Sequence, residues 1–261
     1  LYAYMLWLTP ALPPEYKKEF LQDMRHIGDI MIEQFYSEVH GTFWGACNSP
    51  DMKVLGSAHT DFGHSVKAMW VIYQVGVWTD AVYFMNFARQ KIHAILENAF
   101  DEGNGSWNRR ILPDGSIDKD KEWWGLAELD QAAALLALKD PSYLQYLNRT
   151  YPFWFKNMVD TKHGEIWHVL DGETLMPKRI FPKAHCWKTS LHSFEHTLFC
   201  FLTSKQLLGE TFSLYYAFDS LDEVRHQTVT PYLFKANILD KEVVLDASGL
   251  QSVRVTFDSL H

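Results

Sequence analysis

Stretches with apolar residues at three- and four-residue spacing recur along the chain, separated by short polar segments rich in Gly, Asp and Trp. The pattern predicts a helix over 14–38, starting after Pro13, and further helices over 64–76, 80–99, 122–138, 141–158 and 188–206. Asp140 and Pro141 suit a cap and a first helical position. Gly209 suits the end of the last helix. The stretches 122–138 and 188–206 are apolar nearly all round, as in Ala132-Ala133-Ala134-Leu135-Leu136, and this predicts helices buried on every side. A buried inner helix paired with a more amphipathic outer one is the expected unit.

Between the helices a second pattern repeats. Gly41-Thr42-Phe43-Trp44, Gly103-Asn104-Gly105-Ser106-Trp107 and Gly164-Glu165-Ile166-Trp167 each read as a short hairpin, the second and third followed by Pro113-Asp114-Gly115 and Asp171-Gly172. Their tryptophans lie 63 and 60 residues apart, a period that indicates stacked supersecondary units. The expected fold is all-α, built of (α/α)6-toroid-like helical hairpins. A closed ring needs about twice the helices present, so the barrel is expected to be incomplete. After Glu210 the pattern changes: 229–234 and 243–246 read as short strands, and 252–257 alternates. Residues 1–210 are therefore read as a toroid domain and 211–261 as a small β-rich tail. The chain opens on Leu1 rather than Met, and it is expected to be part of a longer protein.

Composition narrows the function. Of the 261 residues, 47% are hydrophobic and 21% charged, an ordinary globular balance. A net charge of −8 with scattered Lys and Arg argues against a nucleic-acid partner. No apolar run is long enough to span a membrane. Cys47, Cys186 and Cys200 are an odd count without a C-x-x-C, which fits neither a disulfide framework nor a zinc site; a reducing, cytoplasmic compartment is expected. Aromatic residues reach 15%, with 10 Trp, more than the core alone asks for and suited to stacking against sugar rings.

Three polar-aromatic clusters fall where inner helices begin, near 64, 122 and 188. They are His59-Thr60-Asp61-Phe62-Gly63-His64-Ser65-Val66-Lys67, Glu122-Trp123-Trp124-Gly125-Leu126-Ala127-Glu128, and His185-Cys186-Trp187-Lys188-Thr189-Ser190-Leu191-His192-Ser193-Phe194-Glu195-His196. Polar groups converging on an aromatic pocket are the usual pattern of a site. A lone histidine at a helix start is more often structural; the matched position of His64 and His192 in the repeat favours function. His59, His185 and His196 remain open between the two roles. His192 and His196, one helical turn apart, have metal-ligand spacing, but no carboxylate set accompanies them in sequence, and no metal is expected.

These clusters resemble the N-acylglucosamine 2-epimerase family, which includes cellobiose 2-epimerases and aldose–ketose isomerases. The family's G-H-x-x-E resembles Gly63-His64-Ser65-Val66-Lys67. Its W-W-x-x-x-E resembles Trp123 to Glu128, and its W-K-x-x-Y-H-x-x-R resembles Trp187 to Glu195, in the same order over about 14–210. The resemblance implies a cofactor-independent sugar 2-epimerase or aldose–ketose isomerase, with His64 and His192 moving a proton through an enediolate. It implies substrate contacts from Trp124, Glu128, Trp187, Lys67 and Glu195. It further implies a small sugar or disaccharide as the partner, with a homodimer as the expected assembly. Three positions depart from the pattern: Lys67 stands where the family has Glu, Glu195 where it has Arg, and Leu191 where it has Tyr. The first two are read as a charge-swapped pair, against the plainer alternative that both reach solvent. A glycoside hydrolase or lyase on the same toroid, using Glu128 with Asp61 or Glu195, is the competing enzyme reading. A non-catalytic carbohydrate-binding module is the third.

Overall fold

The computed structural model describes residues 2–9, 12–227, 229–247 and 250–260. Its helices are α1 (Tyr2–Leu8), α2 (Pro14–Ile30), α3 (Phe62–Thr79), α4 (Val82–Ala99), α5 (Trp123–Ala137), α6 (Leu144–Phe153), α7 (Leu191–Leu207) and α8 (Leu221–His226). α2 and α6 each run on into a five-residue π-helical segment, Met31–Phe35 and Trp154–Met158, so both stretches read as helices from sequence are longer than their α-helical parts. α1 was not anticipated, because seven apolar residues without caps carry no helical period. No helix is long and apolar enough to cross a membrane.

The chain divides into two compact units, Leu1–Thr197 and Leu198–His261. In the first, α3 packs against α2, α4 and α5, and α5 packs against α6. α3 and α5 are the buried helices, their sides lined by Val66, Met69, Ile72 and Val75 and by Leu126, Leu129 and Ala132 to Ala134. α4 buries a stripe of Phe84, Ala88, Ile92 and Ile95 and leaves the rest to solvent. The alternation of a buried helix with an amphipathic one is thus as the hydrophobic pattern predicts.

Each outer helix hands over to a small hairpin. β1 (Tyr36–Ser37) pairs with β2 (Thr42–Phe43), and β3 (Phe100–Asp101) with β4 (Ser106–Trp107); a single bridge, Val159 to Ile166, does the same in the third repeat. Gly41, Gly105 and Gly164 sit in the left-handed region at φ 61°, 69° and 72°. Each donates its N–H to the carbonyl four residues back, on Ser37, Asp101 and Asp160, at 2.8, 2.8 and 2.7 Å. Glycine adopts this conformation without the strain a Cβ would bring. The repeat is therefore anchored on these glycines, not on the tryptophans. Trp107 stands one residue out of phase with Trp44 and Trp167: the N–H groups of Trp44, Asn108 and Trp167 make the equivalent bonds, to Phe35, Ala99 and Met158. What recurs is a backbone turn, and Trp107 fills the core position that Phe43 fills in the first repeat.

β5 (Arg110–Ile111) and β6 (Ile117–Asp118) form the hairpin around Gly115. β7 (Lys121–Glu122) pairs with β8 (Val169–Leu170) and leads directly into α5.

In the second unit, β9 (Phe212–Phe218), β10 (Ala236–Ala247) and β11 (Leu250–Leu260) form an antiparallel sheet in the order β10-β11-β9. The expected alternation over 252–257 is present in β11, which buries Val253, Val255 and Phe257. The strand expected over 229–234 does not form. Pro231 has no N–H to give a ladder and Tyr232 is left-handed at φ 59°, so the segment turns instead.

Candidate functional site

The first turns of α3, α5 and α7 bring the polar clusters together around one cavity of about 790 Å3. On α3, Asp61 is the N-cap: its Oδ1 accepts the His64 N–H at 2.8 Å, and its Oδ2 lies 2.7 Å from His64 Nδ1. One carboxylate thus both starts the helix and fixes the imidazole, leaving Nε2 as the nitrogen available to the cavity. The His64 ring meets Trp124 edge-on at 4.4 Å, and Trp124 lies 6.2 Å from His192. Glu128, two turns into α5 and fully buried, is the hub beneath them. Its Oε1 accepts from Lys67 and lies 3.2 Å from His192 Nδ1, while its Oε2 accepts Trp70 Nε1–H at 2.9 Å. Glu195, one turn beyond His192 on α7 and also buried, places Oε2 3.7 Å from the same Nδ1.

The charges are tuned by this packing. Burial pushes the Glu128 carboxyl up, but the Lys67 ammonium and His192 outweigh it and hold the group down at about 2. Burial lowers His192, and the two carboxylates more than reverse this, so its pKa is raised. Lys67 is likewise raised, because Glu128 and Glu195 overcome its burial. Glu195 therefore does not reach solvent. Lys67 pairs with Glu128 and feels Glu195 through space, a three-membered cluster in place of the simple swapped pair.

A second polar group lines the far side of the cavity. Arg109 donates to Glu122 at 2.9 Å, and Glu122 lies 3.8 Å from His168. His168 Nδ1 is 3.2 Å from His185 Nε2, and His185 Nδ1 accepts the Trp187 N–H at 3.2 Å. That last bond assigns the His185 hydrogen to Nε2, which donates to His168. Burial, helped by His185, Lys188 and Arg109, lowers His168 to about 4. Backbone bonds between His185 and Lys188 close a tight turn that presents Trp187 at the cavity, 84% exposed.

No family model and no curated protein matches the sequence. Solved structures do. Cellobiose 2-epimerase from Spirochaeta thermophila matches with a TM-score of 0.61 at 22% identity, over 73% of this chain and 48% of that one. Cellobiose 2-epimerase from Bacillus thermoamylovorans gives 0.63 at 17%, over 76% and 50%. A D-mannose isomerase gives 0.51 at 15%, over 75% and 70%. The chain has the fold of the sugar epimerases. It spans about half the length of the epimerases it matches.

Within this epimerase-like fold, the structure gathers His64, Lys67, Trp124, Glu128, His192 and Glu195, and it sets Trp187 at the cavity's edge. His196 turns away: its Nε2 is bound to Asp130 at 2.9 Å, and it is buried as a structural residue. Glu128, His192 and Glu195 bring ligand atoms within 4.8 Å of one another, a donor set that sequence spacing hid because Glu128 comes from another helix. The Lys67 ammonium on Glu128 already supplies a cation there. Asp61, Glu122 and His168 were not singled out as site residues. Asp61 carried a signal, as the acidic residue before a helix-starting Phe-Gly-His. The other two meet only through the β7–β8 pairing.

Proposed function

We propose that this chain carries the catalytic portion of a carbohydrate 2-epimerase or aldose–ketose isomerase, on helical hairpins that form part of an α/α toroid. The observation that carries this reading is that two histidines, from the first turns of different helices, face one aromatic cavity, each with Nδ1 against carboxylate and Nε2 available. A fold shared with sugar epimerases and a mannose isomerase supports it, as do the motif matches around His64, Trp124 and His192.

The chemistry follows from the open-chain sugar. One imidazole takes the proton from carbon 2, the C–H pair becomes the carbon 1–carbon 2 double bond, and the carbonyl pair moves onto the oxygen. The second imidazole returns a proton to the opposite face of carbon 2, giving the epimer. Return to carbon 1 gives the ketose. Trp124 and Trp187 are assigned as platforms for the sugar rings. Glu128 is not suited to the proton-donor role a glycoside hydrolase needs, since it is buried and held ionised.

Incubating the chain with reducing sugars in D2O tests the proposal. Deuterium is expected at carbon 2 of an epimer or carbon 1 of a ketose. His64→Ala and His192→Ala should each lower turnover by about 10²–10⁴-fold. Unlabelled product, or near-normal rates in either variant, overturns it.

A further inference from the structure

The two histidines of the cavity are held in unlike ways, and the difference assigns them unlike duties. His64 faces one carboxylate, Asp61, and its side chain is 39% exposed. His192 has Nδ1 between two carboxylates, 3.2 Å from Glu128 and 3.7 Å from Glu195, and both acids are buried. The groups packed against His192 are Lys67 from α3, Glu128 from α5 with the Trp123 and Trp124 rings at 6.3 and 6.2 Å, and Glu195 from its own helix. Two buried carboxylates against one ammonium leave a negative surplus, and an uncompensated buried charge is costly, on the order of several kcal/mol. A proton on His192 removes the surplus.

We propose that Glu195 is a positioning residue which, with Glu128, keeps His192 as an imidazolium, so that His192 enters the reaction as the proton donor and His64, oriented by Asp61, as the acceptor. The raised pKa of His192 agrees with this. The same three side chains have the donor set of a metal triad. The Lys67 ammonium on Glu128 favours a proton over a divalent ion, which would face that like charge at close range.

The inference rests on the sugar-epimerase reading and gives it a direction. His64 Nε2 takes the carbon 2 proton, and the electrons move to the enediolate as above. His192 Nε2 then gives its proton to the other face, and the oxygen pair re-forms the carbonyl. Imidazole and imidazolium have exchanged places, and total charge is unchanged. The resting protein is thus set for the epimer whose carbon 2 hydrogen faces His64. Solvent must reset both rings before the next turnover in that direction.

The test is a pH titration of the 15N-labelled imidazoles by NMR, which needs no turnover. In the unaltered chain the His192 midpoint should lie above that of free imidazole, about 6.5. Glu195→Gln should lower it by roughly one pH unit, a tenfold change in protonation. Glu195→Asp should restore part of it, and the His64 resonances should not follow. In kinetics, the alkaline limb of kcat/KM should move down by the same amount with KM little changed. A His192 midpoint at or below the free value in the unaltered chain, or one unmoved by Glu195→Gln, overturns the proposal. If the midpoint moves as stated but no reducing sugar is turned over, the positioning stands and the functional reading falls.

Discussion

α5 carries two buried carboxylates two residues apart, and each holds the same pair of partners. Glu128 accepts an indole N–H from Trp70 and faces His192; Asp130 accepts an indole N–H from Trp107 at 2.7 Å and bonds His196 at 2.9 Å. Tryptophan, acid and α7 histidine are thus assembled twice. Around Asp130 everything is closed, with Trp107, Asp130 and His196 all buried and the Trp154 ring 4.3 Å from the imidazole. Around Glu128 a lysine is added, and the histidine opens on the cavity. The residue types are nearly the same; access and one extra charge separate a structural lock from a site.

Substitution should separate the two networks sharply. Glu128→Ala leaves Lys67 and His192 without their shared acid, so it should lower turnover by 10²-fold or more and also cost roughly 3–5 kcal/mol of stability. Asp130→Ala should cost a similar roughly 3–5 kcal/mol in denaturant unfolding while the folded fraction keeps its turnover number. A turnover loss in the second variant as large as in the first would erase the contrast.

Acid sharpens it further. The Glu128 carboxyl is held at about 2, below its usual 4.5, so its stabilisation is present above that usual value and is lost as pH falls toward about 2. Unfolding free energy should decline over that window, and Glu128→Gln should flatten the decline. His192 runs the other way: its raised pKa gives stability that is present below the free-imidazole range and is lost as pH rises through the raised value. Smaller still, Asp61→Ala removes a helix cap worth about 1 kcal/mol in thermal unfolding, and it should reduce turnover as His64 loses its anchor. Trp187→Ala, at an exposed position, should change stability by less than about 0.5 kcal/mol. Sugar affinity, read by calorimetry, should still fall.

The contrast also shows what sequence alone could tell. Helix starts carrying His64, Trp124 and His192 were legible because a buried period gives way to polar residues at a fixed spacing. The phase of the repeat was misread because Trp107 is conspicuous while the glycine turn that actually recurs is a backbone feature. His192 and His196 looked alike as neighbours on one helix. Their partners, Glu128 and Asp130, come from α5, and no spacing along the chain records which acid meets which histidine. β9 and α8 were missed because their seven and six residues are too short to carry a period of their own.

The tight His185–Lys188 turn has a practical consequence. Besides Trp187 it carries Cys186, which is exposed, whereas Cys47 and Cys200 are half-buried. A thiol-reactive dye should therefore attach first at Cys186, beside the aromatic edge of the cavity. The native chain thus carries its own attachment point for an optical reporter of occupancy, and sugars can be screened by emission change without any engineered residue.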